Sequence, residues 1–381
     1  MNANEKIQTV LDRSVAEYGV PGIVAEVREG DRTWFGTAGV SDTETGAPRR
    51  AGEFFHTGSS GKAFTAATLL GLAAEGRLSL DDAVNRHLPG VLDVNGYDGE
   101  AITVRHLLGN TGGLFPTGLA PEVSYRYATR SGMDRHRFDT FTTEELLRVA
   151  VSQPPVGAPG ERFCYANGGF YLAGAIIEAI TGRTYAEEVE RLVIGPLGLT
   201  HTWVRGVKET GYPEPHPRGY SHQFLKDGAD PGAVTPENWQ SLMEEPGLPA
   251  LDVTELNSSL GYAAGNVVST TGDMIRFLNA IVSGELLPAE QHRQMWTTVS
   301  TDGAFWMPHT RYGLGVFEFV PEATGGRELR GIGGSFWGTY FFAVGTPDGR
   351  HTIAAHTNTE WKSWDPMFQL IEAEFGVAIG G

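Results

Sequence analysis

Segments with the pattern of β-strands lie near both ends of this chain, and apolar helical segments fill the middle. Near the start, residues 23–28 and 33–37 alternate as strands around Gly30-Asp31, which predicts a hairpin. Near the end, residues 339–344 and 351–356 have the same character around Pro347-Asp348-Gly349. Strand-rich ends around a helical middle predict an α/β fold whose sheet uses both ends of the chain.

Four helices are predicted from periodicity and from residues that start or stop helices. An amphipathic helix covers residues 4–18, and Asp365-Pro366 begins a closing helix. Residues 62–75 and 168–180 are apolar almost all round, which is typical of buried helices.

Length and element order together predict the domain organisation. The chain has 381 residues, enough for two or three domains of ordinary size. We expect an α/β domain with a central antiparallel sheet from residues 1–60 and 260–381. Residues 61–259 are expected to form a mostly helical inserted domain with long loops.

The charge balance argues against some partners. The formal net charge is −17, whereas nucleic acids and anionic membranes attract basic surfaces. No apolar run approaches the roughly 18 residues needed to cross a bilayer. Cys164 is the single cysteine, so an intramolecular disulfide is impossible. With an amphipathic start in place of a signal peptide, we expect a cytoplasmic protein.

The first candidate for chemistry is Ser59, three residues before Lys62 at the start of an apolar helix. Both side chains then point the same way, and a lysine of lowered pKa can take a serine proton. Such a tetrad is expected about once by chance in a chain of this length. A phosphate-binding loop is excluded, because that motif needs residues other than His56 and Ala63.

Two further segments have residues suited to catalysis. Tyr165 and Asn167 precede the second apolar helix, where a phenol can relay protons and an amide can orient a substrate. Residues 331–335, Gly-Ile-Gly-Gly-Ser, offer backbone N–H groups close to a substrate. Each segment alone is equally consistent with an ordinary turn.

Taken together, the three segments resemble the serine β-lactamase and DD-peptidase superfamily, above all class C β-lactamases, serine DD-carboxypeptidases and their esterase and D-amino-acid amidase relatives. Supporting segments lie at residues 76–82, 103–108, 111–114, 264–270 and 312–315. The resemblance extends from about Val20 to Phe375. It implies a β-lactamase/transpeptidase-like fold, an antiparallel sheet flanked by helices with a mostly helical insertion.

The resemblance also implies a role for each motif residue. Ser59 would form the acyl-enzyme, Lys62 would be its base, and Tyr165 would pass protons. The oxyanion hole would consist of the N–H groups of Ser59 and Ser335. The remaining substrate-binding residues would be Asn167, Gly333, Gly334, Ser335 and Trp337.

The chain departs from the family where a substrate carboxylate is normally held. The third motif usually begins with lysine or histidine, but here that residue is Ile332. A neutral ester or amide is therefore the expected substrate. Late aromatic residues either wall an apolar pocket or pack in the core: Phe305, Trp306, Phe336, Trp337, Trp361 and Trp364.

Three hypotheses follow for function. The first is a serine acyl-transfer enzyme for a small neutral ester or amide, whose acceptor is water or an amine. The second is a DD-peptidase, D-amino-acid amidase or β-lactamase, and the third is a non-catalytic binding or sensor module. No cofactor or metal is expected, since no clustered ligand motif occurs. The sequence leaves the oligomeric state open.

Overall fold

The computed structural model describes residues 2–226, 228–235, 238–243, 249–360 and 363–379. Its strands are β1 Gly22–Glu29, β2 Arg32–Gly39, β3 Phe55–His56, β4 Trp203–Val204, β5 Tyr220–Ser221, β6 Leu251–Asp252, β7 Val267–Ser269, β8 Val299–Ser300, β9 Thr310–Tyr312, β10 Phe317–Phe319, β11 Arg330–Phe336, β12 Thr339–Gly345 and β13 His351–Thr357. Its helices are α1 Ala3–Ala16, α2 Gly61–Ala74, α3 Val84–His87, α4 Val104–Leu108, α5 Pro121–Tyr127, α6 Arg130–His136, α7 Thr143–Ala150, α8 Asn167–Thr181, α9 Tyr185–Val189, α10 Gly195–Leu197, α11 Trp239–Leu242, α12 Tyr262–Gly265, α13 Thr271–Ser283, α14 Ala289–Met295 and α15 Asp365–Phe375.

The central sheet joins the two ends of the chain. Its eight strands run antiparallel in the order β2-β1-β13-β12-β11-β10-β9-β8. Both hairpins expected near the ends are present, and they are neighbours because β1 pairs with β13. The mixed α/β architecture with an antiparallel sheet is thus the predicted one.

Helices cover both faces of this sheet. Along β12, Tyr340 and Phe342 face α1 and α15, while Phe341 faces the larger core that contains α2 and α13. This alternation follows from the pleat, because successive side chains of a strand point to opposite faces. Burial on both faces explains why β12 is almost wholly apolar.

The helical part of the fold centres on two buried helices. Helices α2 and α8 pack against each other, and the short α12 contacts both. Their apolar character on all sides matches this position. None of the helices in the described ranges is both long and apolar enough to cross a membrane.

Two segments differ in detail from the sequence expectations. Residues 331–335 are part of β11 and not a glycine-rich turn, because pairing along all of β12 holds them extended. Within residues 61–259, where long loops were expected, the short elements β5 and α11 lie between Gly211 and Pro249. Trp361 lies outside the described residues.

Candidate active site

Ser59 lies in a tight 3₁₀ turn between β3 and α2. Thr57, the residue before this turn, is held by two hydrogen bonds. Its backbone N and its Oγ1 donate to the carbonyl of Val267 at 2.9 and 3.1 Å. Gly58 has a φ of +55°, and a Cβ there would lie 2.7 Å from the backbone of Ser335. Only glycine fits this position, so the turn presents Ser59 directly beside β11.

Lys62 reaches Ser59 from the first turn of α2. Its Nζ lies 3.0 Å from Ser59 Oγ, 2.7 Å from Asn167 Oδ1 and 2.8 Å from the carbonyl oxygen of Ala264. The side chain is buried and its three partners are uncharged oxygens. Burial therefore lowers the pKa of Lys62 well below the ordinary 10.5, which favours the neutral amine.

Tyr165 approaches Ser59 from the other side. Its hydroxyl donates to Ser59 Oγ at 2.6 Å. Burial raises the pKa of Tyr165 above its ordinary value, so the phenol keeps its proton at neutral pH. The Trp306 ring stacks on the Tyr165 ring with centroids 5.0 Å apart, and this contact fixes the direction of the hydroxyl.

The neutral amine that burial favours for Lys62 can be matched to its three neighbours, with the lone pair directed to Ser59. A neutral lysine amine has two N–H groups and one lone pair. The carbonyl of Ala264 can only accept, and Asn167 offers its amide oxygen, so these two partners use both N–H groups. The lone pair then faces Ser59, whose own O–H can donate to it while Ser59 Oγ accepts from Tyr165. The geometry is that of a serine ready to lose its proton to an amine.

Strand β11 touches the serine turn through Gly334. A Cβ at Gly334 would lie 2.3 Å from the backbone N of Ser59 and 2.4 Å from that of Ser60, so any larger residue would push the strand away. The next residue, Ser335, is exposed, and it lines a cavity that also contains Ser59. Backbone atoms of Ser335 in turn lie 2.7 Å from where a Cβ of Gly58 would be, next to Ser59.

A buried histidine supports the serine turn from behind. His56 Nδ1 accepts from Gly58 N at 3.1 Å, so its Nε2–H faces Asn266 Oδ1 at 3.4 Å. Burial and the nearby Arg205 lower the pKa of His56 to about 3. Its ring also stacks on Phe336 with centroids 4.4 Å apart. His56 is thus a neutral structural support for the turn.

A second buried network ties the same turn to the sheet. Thr339 Oγ1 donates to the carbonyl of His56 at 3.0 Å and contacts His356 Nε2 at 2.9 Å. Arg49 donates to His356 Nδ1 at 2.9 Å and forms a buried ion pair with Glu53 at 2.7 Å. Burial and Arg49 lower the pKa of His356, which stays neutral. No local sequence pattern predicts this network, because its residues are far apart in the chain.

The serine opens into a cavity of about 840 Å³ lined mainly by apolar and aromatic side chains. Of the residues expected to bind substrate, Asn167, Gly333, Gly334, Ser335 and Trp337 all line it. Trp337 is half-buried and packs on Tyr127 with ring centroids 5.0 Å apart, so it is both pocket wall and core contact. Ile332 is instead buried in the core.

Aromatic residues from the late part of the chain also border this cavity, and they include Phe305, Trp306, Phe336 and Trp364. Cys164 is half-buried, and burial raises the pKa of its thiol, which disfavours a nucleophilic thiolate.

One cluster of possible metal ligands occurs among the described residues, formed by Glu29, His351 and Glu374. It lies at the opposite end of β13 from His356. Arg32 forms ion pairs with both carboxylates, at 3.2 Å to Glu29 and 2.7 Å to Glu374. The guanidinium of Arg32 therefore already supplies positive charge to this cluster. The cluster is separate from the serine site.

Solved structures of known activity have the same fold along nearly the whole chain. A D-stereospecific amidohydrolase from Streptomyces sp. is 37% identical with a TM-score of 0.84, and the match covers 98% of this chain and 99% of that one. A D-amino acid amidase from Ochrobactrum anthropi SV3 matches with 24% identity, a TM-score of 0.77 and the same coverage.

Curated relatives match over shorter stretches. Esterase EstB of Burkholderia gladioli is 34% identical over 198 residues, which is 51% of this chain and 50% of the esterase. Protein flp of Staphylococcus aureus (strain COL) is 28% identical over 239 residues, 62% of this chain and 44% of that protein. The matched region is thus about half of each relative.

A family model described as Beta-lactamase matches residues 7–371. That range includes the serine turn, α2, α8 and β11, all of the elements that meet at the site. The chain therefore belongs to the β-lactamase family.

Proposed function

We propose that this protein hydrolyses uncharged amides and esters through an acyl-Ser59 intermediate. The observation that carries the proposal is the meeting of three groups at the floor of the cavity. Ser59 Oγ lies 3.0 Å from the Lys62 amine and 2.6 Å from the Tyr165 hydroxyl. Geometry of this kind suits proton transfer in both directions.

Each group has one task in the proposed reaction. Ser59 Oγ attacks the substrate carbonyl carbon while its proton passes to Lys62. The N–H groups of Ser59 and Ser335 stabilise the negative oxygen that forms, and Asn167 orients the substrate amide. The leaving amine or alcohol then takes a proton from Tyr165 as its bond to carbon breaks, and Lys62 returns a proton to Tyr165. Water then attacks the carbonyl carbon of the acyl-Ser59 ester and gives up its proton to the same groups. Ser59 Oγ takes a proton back as its bond to carbon breaks, and the acid is released.

The cavity supports an uncharged acyl donor. None of its described lining residues is a lysine, arginine or histidine, so a substrate carboxylate would lose water without gaining a cation. A preference for D-configured amides is the finer proposal. It is supported by the 37% identity to the D-stereospecific amidohydrolase over the whole chain.

Transfer of the acyl group to an amine is the second candidate. A cavity of about 840 Å³ is near the upper end of the 300–1,000 Å³ of ordinary ligand pockets. It has room for an acceptor beside the acyl group. An ester donor supplies the free energy for such a transfer, so ATP is not needed.

Intact-mass measurement after incubation with a p-nitrophenyl ester tests the acyl-enzyme. We expect the wild type to gain the acyl mass and Ser59→Ala to gain none. Ser60→Ala is the matched control, since Ser60 is the buried neighbour on the same turn. Equal labelling of Ser59→Ala and wild type would refute the nucleophile.

Product analysis tests substrate and acceptor. The N-acetylated phenylalanine amides of both configurations, which are uncharged, should differ in turnover by at least about ten-fold, with the D-form preferred. A primary amine added to the ester reaction separates the two candidates. Hydrolysis alone gives only acid, whereas transfer gives the new amide in proportion to the amine.

A further inference from the structure

The cavity extends beyond the serine to a second group of residues on the α15 face of the sheet. This group includes Phe317, Tyr340, Trp364, Asp365 and Phe368. Its members form part of the same continuous lining as Ser59 and Tyr165. The cavity therefore has a distal part that the proposed chemistry does not use.

The passage between the two parts runs over the edge of β11. Strand β10 pairs with β11 only at Gly331 and Arg330, so the residues that follow have no partner strand on that side. At Gly333 the nearest atoms to an added Cβ would be at 3.6 Å. Packing thus tolerates a side chain there, and its absence leaves the passage open.

Asp365 is the only charged side chain among the described residues that line the cavity. It begins α15 and is exposed, directly after Trp364. The Trp364 ring lies 6.1 Å from the ring of Tyr340, which is the cross-strand partner of Ser335. These contacts place the start of α15 beside β12, the strand that pairs with the oxyanion strand.

A carboxylate in this position favours one class of ligand. It faces a mainly apolar space without a described basic side chain, on a protein of net charge −17. Such a site attracts cations and repels anions. Aromatic rings beside it, those of Trp364 and Phe368, add favourable contacts for an ammonium group.

We infer that Asp365 forms a cation subsite, which binds an ammonium group of the substrate in the distal part of the cavity. This inference rests on the proposed function and deepens it. The substrate would be a neutral ester or amide at the reacting end and a cation at the far end, joined by an apolar chain over Gly333.

Matched ester series provide the test. In the first series, p-nitrophenyl esters carry a terminal ammonium on acyl chains of about four to eight carbons. In the second series, the terminal ammonium is on the alcohol part of the ester. Each ester is compared with the uncharged alkyl ester of the same length. We expect wild-type kcat/KM to favour one ammonium series by about ten-fold at the longer lengths, as for one charge-assisted contact.

Variants then assign the preference to Asp365. Asp365→Asn should abolish it, so that the ratio of kcat/KM between ammonium and alkyl esters falls about ten-fold to near one, and Asp365→Lys should favour esters with a terminal carboxylate. Asp31→Asn is the control, because Asp31 is an exposed turn residue outside the cavity and the change in net charge is the same. It should retain the preference.

The two proposals fail in different ways. If the wild type hydrolyses the ammonium and alkyl esters equally, or if Asp365→Asn retains the preference, the subsite is refuted and the serine chemistry stands. If the wild type turns over neither series, or Ser59→Ala turns over both, the proposed function is refuted and the subsite with it. The wild-type comparison decides the question even if a variant does not fold.

Discussion

Replacing Glu360 with glutamine should change how the free energy of unfolding depends on pH. Glu360 is only 4% exposed and lies behind the turn that carries Trp337. Its carboxylate accepts from Ser221 Oγ at 2.7 Å and from Gly338 N at 2.9 Å. Burial raises its pKa from an ordinary 4.5 to about 7.

The size and sign of the effect follow from this shift in pKa. The difference between 4.5 and about 7 corresponds to about 3 kcal/mol. Between these values the folded protein holds a proton that the unfolded chain has lost. Stability from the protonated Glu360 is therefore fully present below pH 4.5 and is lost as the pH rises through about 7. Glutamine accepts the same two hydrogen bonds without titrating.

Urea unfolding of wild type and Glu360→Gln at several pH values from about 4.5 to 8 measures this. The stability of the variant minus that of the wild type should rise by about 3 kcal/mol across the range, since the other titrating groups cancel. Glu100→Gln, at an exposed glutamate outside this network, is the matched control for the substitution itself. A constant or falling difference for Glu360→Gln would refute the reasoning.

Three further predictions concern the catalytic groups. kcat/KM should fall as the pH drops through the lowered pKa of Lys62, because the protonated amine cannot take the serine proton. Lys62→Met should lose this acidic limb of the pH–rate profile and should be slower by about 10²-fold or more. Full activity of Lys62→Met across the pH–rate profile would contradict the role of the amine. Tyr165→Phe removes the 2.6 Å contact with Ser59 and should lower kcat by about 10²–10⁴-fold, and steady-state kinetics with an unchanged kcat would count against the relay. Gly334→Ala puts a Cβ 2.3 Å from the Ser59 backbone N and should cost about 10²–10³-fold in kcat, with circular dichroism checking the fold; normal turnover in a folded variant would exclude the close approach.

Local patterns were sufficient to predict the four strands of the two terminal hairpins and four of the longer helices. The hairpins around Gly30-Asp31 and Pro347-Asp348-Gly349 were predictable, because alternation and turn residues are local properties. The helices α2 and α8 were predicted to within one or two residues. Strand β11 was missed as a strand, since glycine has a low strand propensity and only pairing with β12 extends it.

The candidate site was only partly accessible from sequence. Ser59 and Lys62 were found because a three-residue spacing at the start of a helix places both side chains together. Tyr165 meets them through tertiary packing, which only the family resemblance anticipated. The carbonyl of Ala264 had no signal at all, since any residue type supplies the same backbone oxygen.

The interlocking glycines have a consequence for when activity first arises. Gly58 and Gly334 let the serine turn and β11 touch through their backbones, although these segments lie near opposite ends of the chain. A partly synthesised chain thus lacks the strand that completes the site, however well its helices have formed. Turnover should therefore begin only after β11 has docked against the serine turn, which makes turnover a direct reporter of completed folding.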